Sequence, residues 1–412
     1  MTGLSRRRLV QASALGAATL FTPSIARAQA KAIKIGILSD MSGPYSEATG
    51  LGDVIAAKFA IEDFNKQHPD IRVEIISGDM LLKPDVGAAV ARQWYDQEGV
   101  DAIFDIPHSA VTLAVNRIAQ EKDKVVITTS AGTADLSGKW CTPNYVQWTF
   151  DLWANANGVV RGLMAEKADT WFFILADYIS GHAMANDAAG ILAKMGGKDV
   201  GRAAYAFPGT TDFSSYLLQA KTSGAKVICL ANAGDDTANC IKQAYEFGIP
   251  QSGVRLATLV LQDYIVKSVG LGTAQGLYGT MPWVWNMNEA ALAFADRFSP
   301  LYKGNKPNFY HAGSYSAVTH YLKAVAALGA DAAKASGRAA VAKMKEIPTD
   351  DPLYGPGKVR EDGKYVHTEY VWQSKTPAES KGPWDYFKKS ATIPADQAFK
   401  PMSEGGCPLV KA

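Results

Sequence analysis

Six histidines and four cysteines offer the most scope for catalysis or metal binding in this chain, and neither set is spaced for it. His68, His108, His182, His311, His320 and His367 show no metal-ligand spacing, there is no H-E-x-x-H, and Cys141, Cys229, Cys240 and Cys407 do not form a zinc pattern. His108-Ser109 puts a base beside a nucleophile in sequence, but Ser–His chemistry needs a spatial hydrogen bond that chain neighbours rarely make. Gly270-Leu271-Gly272 lacks the third glycine of a dinucleotide fingerprint, and neither a Walker A sequence nor G-x-S-x-G occurs. Ser223-Gly224-Ala225-Lys226 fits S-x-x-K only formally, in a turn ahead of a strand. What remains is a set of small and polar residues just after apolar runs: Ser39-Asp40-Met41-Ser42-Gly43, Ile106-Pro107-His108-Ser109, Thr128 to Thr133, Asp177-Tyr178 and Asn232-Ala233-Gly234-Asp235. Hydroxyls and free backbone N–H groups at helix starts favour anions; simple helix capping is the other use of the same residues. Binding, rather than reaction, is the chemistry this inventory points to.

The runs that position these residues alternate in type. Ile33–Leu38, Ile71–Ile76, Ala102–Phe104 and Lys124–Ile127 read as strands, with helices at Asp53–Gln67, after Pro84 and from Ser109. The rhythm restarts with strands at Trp171–Leu175, Ala203–Ala206, Val227–Leu230, Leu256–Leu259 and Leu277–Met281, separated by helices at Gly181–Met195, Asp212–Thr222 and Thr237–Phe247. Helices near Glu289–Phe298 and Ser314–Leu328 and a Gly/Pro-rich hairpin region follow; they have too few strands to form a lobe and must complete earlier ones. The expected fold is α/β: two doubly wound parallel-sheet lobes joined by a hinge, with a cleft between them. The expected division is 31–150 with 282–357 for the first lobe, 151–281 with 358–395 for the second, and a tail at 396–412. Loops beyond the carboxyl ends of parallel strands face the crevice where ligands bind, and the polar residues above occupy those loops.

The chain has 412 residues, 47% hydrophobic and 20% charged, which is globular composition. Its formal charge is +2, but Arg6, Arg7, Arg8 and Arg27 lie in a leader without acidic residues, so the remainder carries −2. Without a basic excess, nucleic acid and anionic membrane are excluded as partners. Residues 1–28 read as an export signal: three arginines, an apolar run from Leu15 to Ile25, and Ala26-Arg27-Ala28 as a small-x-small cleavage site, with Ala28-Gln29-Ala30 as an alternative. Ser5-Arg6-Arg7-Arg8-Leu9-Val10 resembles a twin-arginine signal; an ordinary Sec signal is the other option. Both routes lead out of the cytoplasm, so a soluble periplasmic protein is expected. There, Cys141 and Cys407, both in polar loops containing proline, are the expected disulfide, while Cys229 lies in an apolar strand as a buried thiol.

Ile35-Gly36-Ile37-Leu38-Ser39-Asp40-Met41-Ser42-Gly43-Pro44-Tyr45, then Gly50 and Ala60-Ile61-Glu62-Asp63-Phe64-Asn65, resemble the opening of type I periplasmic solute-binding proteins. The nearest group is the Leu/Ile/Val-binding family that feeds ABC transporters. The resemblance continues through His108-Ser109-Ala110, Thr133, Asp177 to His182 and Gly357-Lys358-Val359-Arg360, and covers nearly all of the chain after the leader. It implies that Ser109 and the segment Ala131-Gly132-Thr133 hold a ligand carboxylate, with His108 beside them. It further implies that Tyr45 covers the ligand side chain and that Tyr178 contributes from the second lobe. Asn232 and Asp235 are further candidates for contact, and Trp283 and Trp285 are candidates for an apolar wall or, equally, for hinge packing.

The departures from the family pattern narrow the ligand. Amino-acid binders of this kind carry a second-lobe Glu for the ligand ammonium, yet Ala257-Thr258-Leu259-Val260-Leu261 has no carboxylate, and a Tyr expected near Asn232-Ala233 is missing. A buried ammonium without a counter-charge costs several kcal/mol, so unless Asp235, Asp236 or Asp263 takes over, a carboxylate without an α-amino group is expected. The reading is therefore the binding component of an ABC uptake system, closing on a small hydrophobic or aromatic carboxylate. A branched-chain or other neutral amino acid, and a sensing role at a receptor, are the alternatives. It is not expected to be an enzyme, nor to hold a cofactor or metal. Its expected partners are the small molecule and an ABC permease with its ATPase, and a monomer is expected.

Overall fold

The computed structural model describes residues 32–411, so the export-signal reading of 1–28 lies outside the described residues. The first sheet is fully parallel. It contains β1 (Ile33–Ser39), β2 (Val73–Asp79), β3 (Ala102–Asp105), β4 (Val125–Thr128) and β5 (Tyr145–Gln147), in the order β2-β1-β3-β4-β5. Connecting helices α1 (Leu51–Gln67), α2 (Pro84–Gln93) and α3 (Ser109–Glu121) cover both faces. Ile33, Ile35 and Ile37 of β1 join one core with α1, whereas Leu38, Ile103 and Val126 join a second core with α2 and α3. Burial on both faces explains why these strands read as continuous apolar runs instead of alternating ones.

The second lobe begins with α4 (Leu152–Ala165) and repeats the plan: β6 (Thr170–Ala176), α5 (Ile179–Lys194), β7 (Lys198–Tyr205), α6 (Ser214–Thr222), β8 (Val227–Ala231), α7 (Asp235–Glu246), β9 (Arg255–Thr258), α8 (Asp263–Val269), α9 (Leu271–Ala274) and β10 (Tyr278–Met281). The chain then returns to the first lobe as α10 (Glu289–Phe298), α11 (Phe309–Leu328), α12 (Ala330–Ala335) and α13 (Gly337–Glu346). Helix α11 lies directly on α1: a Cβ at Gly52 would sit 2.1 Å from His311 Nε2, so only glycine permits that approach. Two antiparallel pairings follow, among β11 (Thr349–Asp351), β12 (Gly355–Val359) and β13 (Tyr365–Val366). Finally β14 (Glu369–Ser374) and β15 (Phe387–Ile393) extend the second sheet, whose order is β15-β14-β10-β9-β8-β6-β7.

Strands β14 and β15 pair antiparallel, so the second lobe is a mixed sheet and not a purely parallel one. The boundary expected at 357/358 also moves. The β12–β13 pairing and the hydrogen bond from Gln147 N–H to Gly363 O (2.9 Å) keep residues through Val366 with the first lobe. The chain therefore passes between lobes at 148–151, 282–288 and 367–368. Beside these passages Lys364 is fully buried, 3.3 Å from Asp151 Oδ2 and over the Phe399 ring. Burial pushes its ammonium pKa down and the charge of Asp151 opposes that.

The tail is anchored to both lobes. Asn157 on α4 donates to the carbonyls of Gln397 and Ala398, and Cys407 is bonded to Cys141 in the first lobe. That is the expected pairing, and Cys229 is a buried free thiol, as is Cys240.

Candidate functional site

The strand order of the first sheet reverses between β1 and β3, and the loops that follow β1, β3 and β4 converge there. Each loop is held from within. Asp40 accepts N–H bonds from Gly43 and Tyr45, both at 2.8 Å, which fixes the loop carrying Tyr45. Thr128 Oγ1 accepts the Ala131 N–H at 3.1 Å, and Gln147 Nε2 donates to the carbonyls of Ala131 and Thr133. Asp105 accepts from Thr129 and Ser130, tying the β3 loop to the β4 loop.

These bonds bring Ser109 and Thr133 together: the Thr133 N–H donates to Ser109 Oγ at 3.4 Å. Helix α3 has no side-chain cap at its start, so its first-turn N–H groups remain open to an anion. Among the described residues the Gly132 N–H has no protein acceptor, whereas the Ala131 N–H is taken by Thr128. Thr133 Oγ1 accepts the Asp135 N–H at 3.4 Å, a long bond that also gives this hydroxyl a capping role. His108 is half-buried with an unpartnered Nδ1, and burial lowers its pKa, which favours the neutral ring.

Tyr45 and Tyr178 approach from opposite lobes closely enough that a charge on Tyr178 bears on Tyr45. Burial first, then Tyr178 and Asp40, push the Tyr45 pKa up. Tyr178 stacks on Phe207 with centroids 4.7 Å apart, and Ile179 beside it is 89% exposed. Two aromatic side chains that the sequence reading did not select complete this face. Tyr310, at the start of α11, accepts from Gln262 Nε2 at 2.6 Å across the lobes, and Tyr264 lies near Tyr45 and Tyr310. Position was the only available signal for Tyr310: it lies in the first turn of a helix that begins at Phe309, five residues before the expected start at Ser314.

Other candidates lie elsewhere. Asn232 is buried, accepting from Thr237 Oγ1 (2.8 Å) and donating to Cys240 Sγ, so its side chain is committed to the base of α7. Trp283 is 1% exposed and packs edge-on against Phe294 of the first lobe, as hinge core. Trp285 donates to the Trp384 carbonyl. Asp235 is exposed in the first turn of α7, and Asp236 accepts from Tyr205 at 2.7 Å. Asp263 lines a solvent-open recess of about 300 Å³ with Glu47, Tyr264 and Asn305; burial raises its carboxyl pKa to about 7. Among the described residues no cluster is placed to hold a metal ion, and no helix is long and apolar enough to cross a membrane.

The family model described as periplasmic binding protein matches residues 32–382. A periplasmic binding protein from Burkholderia mallei is 39% identical, covering 92% of this chain and 99% of its own, with a TM-score of 0.82. A branched chain amino acid ABC transporter periplasmic ligand-binding protein from Burkholderia xenovorans LB400 is 36% identical with the same coverage and a TM-score of 0.87. A Leu/Ile/Val-binding protein homolog 6 from Brucella melitensis is 26% identical over 59% of this chain, and the match spans 62% of that relative's length. With its two α/β lobes and interlobe cleft, the chain belongs to the type I periplasmic binding proteins, in the Leu/Ile/Val-binding family of ABC-transporter solute-binding proteins, which are not enzymes.

Proposed function

We propose that this protein is the extracytoplasmic solute-binding component of an ABC uptake transporter, acting in the periplasm as a monomer that closes on a small hydrophobic or aromatic carboxylate. The ligand carboxylate would meet Ser109, Gly132 N–H, Thr133 and the open start of α3, where charge-assisted bonds are strong. Tyr45 and Tyr178 would cover its apolar body as the lobes close by hinge motion. An ABC permease with its ATPase would then receive it.

The observation that carries the ligand reading is how the second-lobe carboxyl groups near the cleft are committed among the described residues. Asp236 is bonded to Tyr205, and the Asp263 carboxyl, raised to about 7, is only partly ionised at neutral pH. A branched-chain or other neutral amino acid is the second reading, supported by the name of the Burkholderia xenovorans relative and by the exposed Asp235. Thermal-shift screening followed by isothermal titration with benzoate, alkyl carboxylates and neutral amino acids decides between them, because a ligand that prefers the folded state raises its melting temperature. Binding of carboxylates without an amino group is expected. Tight leucine binding with none for these carboxylates would reverse the order.

A further inference from the structure

Below the loops that carry Ser109 and Thr133 lie two fully buried carboxyl groups, Asp53 in the first turn of α1 and Asp105 at the end of β3. Asp105 Oδ1 accepts from Thr129 at 3.2 Å and from Ser130. Asp53 Oδ1 accepts from Ser314 of α11 at 2.6 Å, and the Ser314 and Thr129 hydroxyls are 3.3 Å apart. The other oxygen of each, Asp53 Oδ2 and Asp105 Oδ2, is buried without a geometric hydrogen-bond partner, and each carboxyl acts on the other, with Ser39 also bearing on Asp105. Two carboxyl oxygens stay together in a dry interior only when a proton lies between them. Burial and then the charge of Asp105 hold the Asp53 pKa well above the ordinary carboxylate range. Asp53 therefore keeps the proton and donates it to the Asp105 carboxylate.

We propose that this proton-sharing pair is a positioning element that sets the spacing of the two loops holding the ligand carboxylate. Asp105 leads into His108-Ser109 and clamps Thr129-Ser130, which lead into Ala131-Gly132-Thr133. The backbone at Asp105 and Ile106 has φ of 76° and 59°, a left-handed pair that non-glycine residues keep only when their surroundings hold them. The titratable groups facing the pair are Tyr302, on which Asp53 acts, Tyr310 of α11, on which Asp105 acts, and His311, which packs against Gly52 beside Asp53. None of the groups acting on either carboxyl is a cation, so nothing offsets a second negative charge. Loss of the shared proton would make the carboxylates repel, loosening the loops and placing added charge under an anion. Both effects weaken binding as pH rises.

The role rests on the carboxylate reading of the cleft, and the test separates the two. Benzoate and leucine are titrated from pH 6.5 to 9 into wild type, Asp53→Ala and Asp53→Asn. Wild type should lose about tenfold in benzoate affinity across the range, and Asp53→Ala about tenfold already at pH 7. Asp53→Asn restores the hydrogen bond with a group that cannot ionise, so it should recover most of the loss and remain flat with pH to within about threefold. Melting without ligand gives an independent measure. A carboxyl whose pKa is raised by folding costs stability that grows with pH between its unfolded and folded values, so wild type should fall behind Asp53→Asn from pH 5 to 9. If a probe binds but Asp53→Asn follows the wild-type decline, or Asp53→Ala binds like wild type at pH 7, the positioning role is wrong. If the melting gap appears and neither probe binds at any pH, the carboxylate reading falls and the positioning role falls with it.

Discussion

The two faces of the cleft are built on different principles. The first-lobe face presents an uncapped helix start and hydroxyls on loops wired from below by Asp40, Asp105 and Thr128. The second-lobe face presents aromatic and aliphatic surface: Tyr178 stacked on Phe207, with Ile179 standing free. Its one buried amide in the corresponding loop, Asn232, is used internally. Directional bonds to an anion need fixed donors, whereas apolar contact tolerates displacement. A fixed anchor and an adaptable cover would suit the hinge closure proposed above.

That contrast depends on a seam that keeps both halves in place, and the largest effect is expected there. Lys364→Ala would leave Asp151 buried without its partner, which costs about 3–5 kcal/mol in comparable cases. Urea unfolding measures it; a loss below about 1 kcal/mol would mean that water already reaches Asp151. Cys407→Ser comes next. It frees the tail from the first lobe, and loss of a native bridge costs typically 2–4 kcal/mol. Because β15 belongs to the second sheet, the same variant should widen the lobe-to-lobe distance distribution in small-angle scattering.

Affinity tests divide the two faces. Ser109→Ala and Thr133→Ala should each weaken every bound carboxylate by about 1–3 kcal/mol, whatever its body. Unchanged affinity in both would remove the first-lobe anchor. Tyr178→Ala should instead alter selectivity, reducing binding of aromatic relative to alkyl carboxylates by roughly 0.5–1.5 kcal/mol. A uniform loss across ligands would show that Tyr178 acts on the head group and that the faces are not so distinct.

The sequence displayed one of these faces better than the other. Strands β1, β3, β4, β6 and β8 were legible because both their faces are buried, and the loops after them followed directly. Helix α4 was missed because Ala154 to Val160 are all buried, which erases the polar stripe that marks a surface helix. Strand β5 has three residues and gives no periodic signal. On the first-lobe face, residue type and place in the chain marked the polar loops, the family resemblance singled out Ser109 and Thr133 within them, and the structure brings those two together. Asn232 and Trp283 could not be judged that way, since a polar or aromatic residue in a loop reads alike whether it faces the cleft or the interior.

The smallest expected effect concerns the contact that joins the faces outside the ligand site. Lys267 Nζ of the second lobe lies 3.4 Å from Glu47 Oε1 and 3.5 Å from Asn305 Oδ1 of the first, over the Trp384 ring. Both partners are substantially exposed, so the pair should contribute about 0.2–1 kcal/mol and weaken with salt. It exists only when the lobes are near one another, so Lys267→Ala should speed ligand release with little change in association, and 0.5 M salt should do the same to wild type. Stopped-flow release rates for the two proteins at low and high salt check this. If Lys267→Ala slows association as strongly as it speeds release, the pair also shapes the open state, and the second-lobe cover is less independent of the anchor than its chemistry implies.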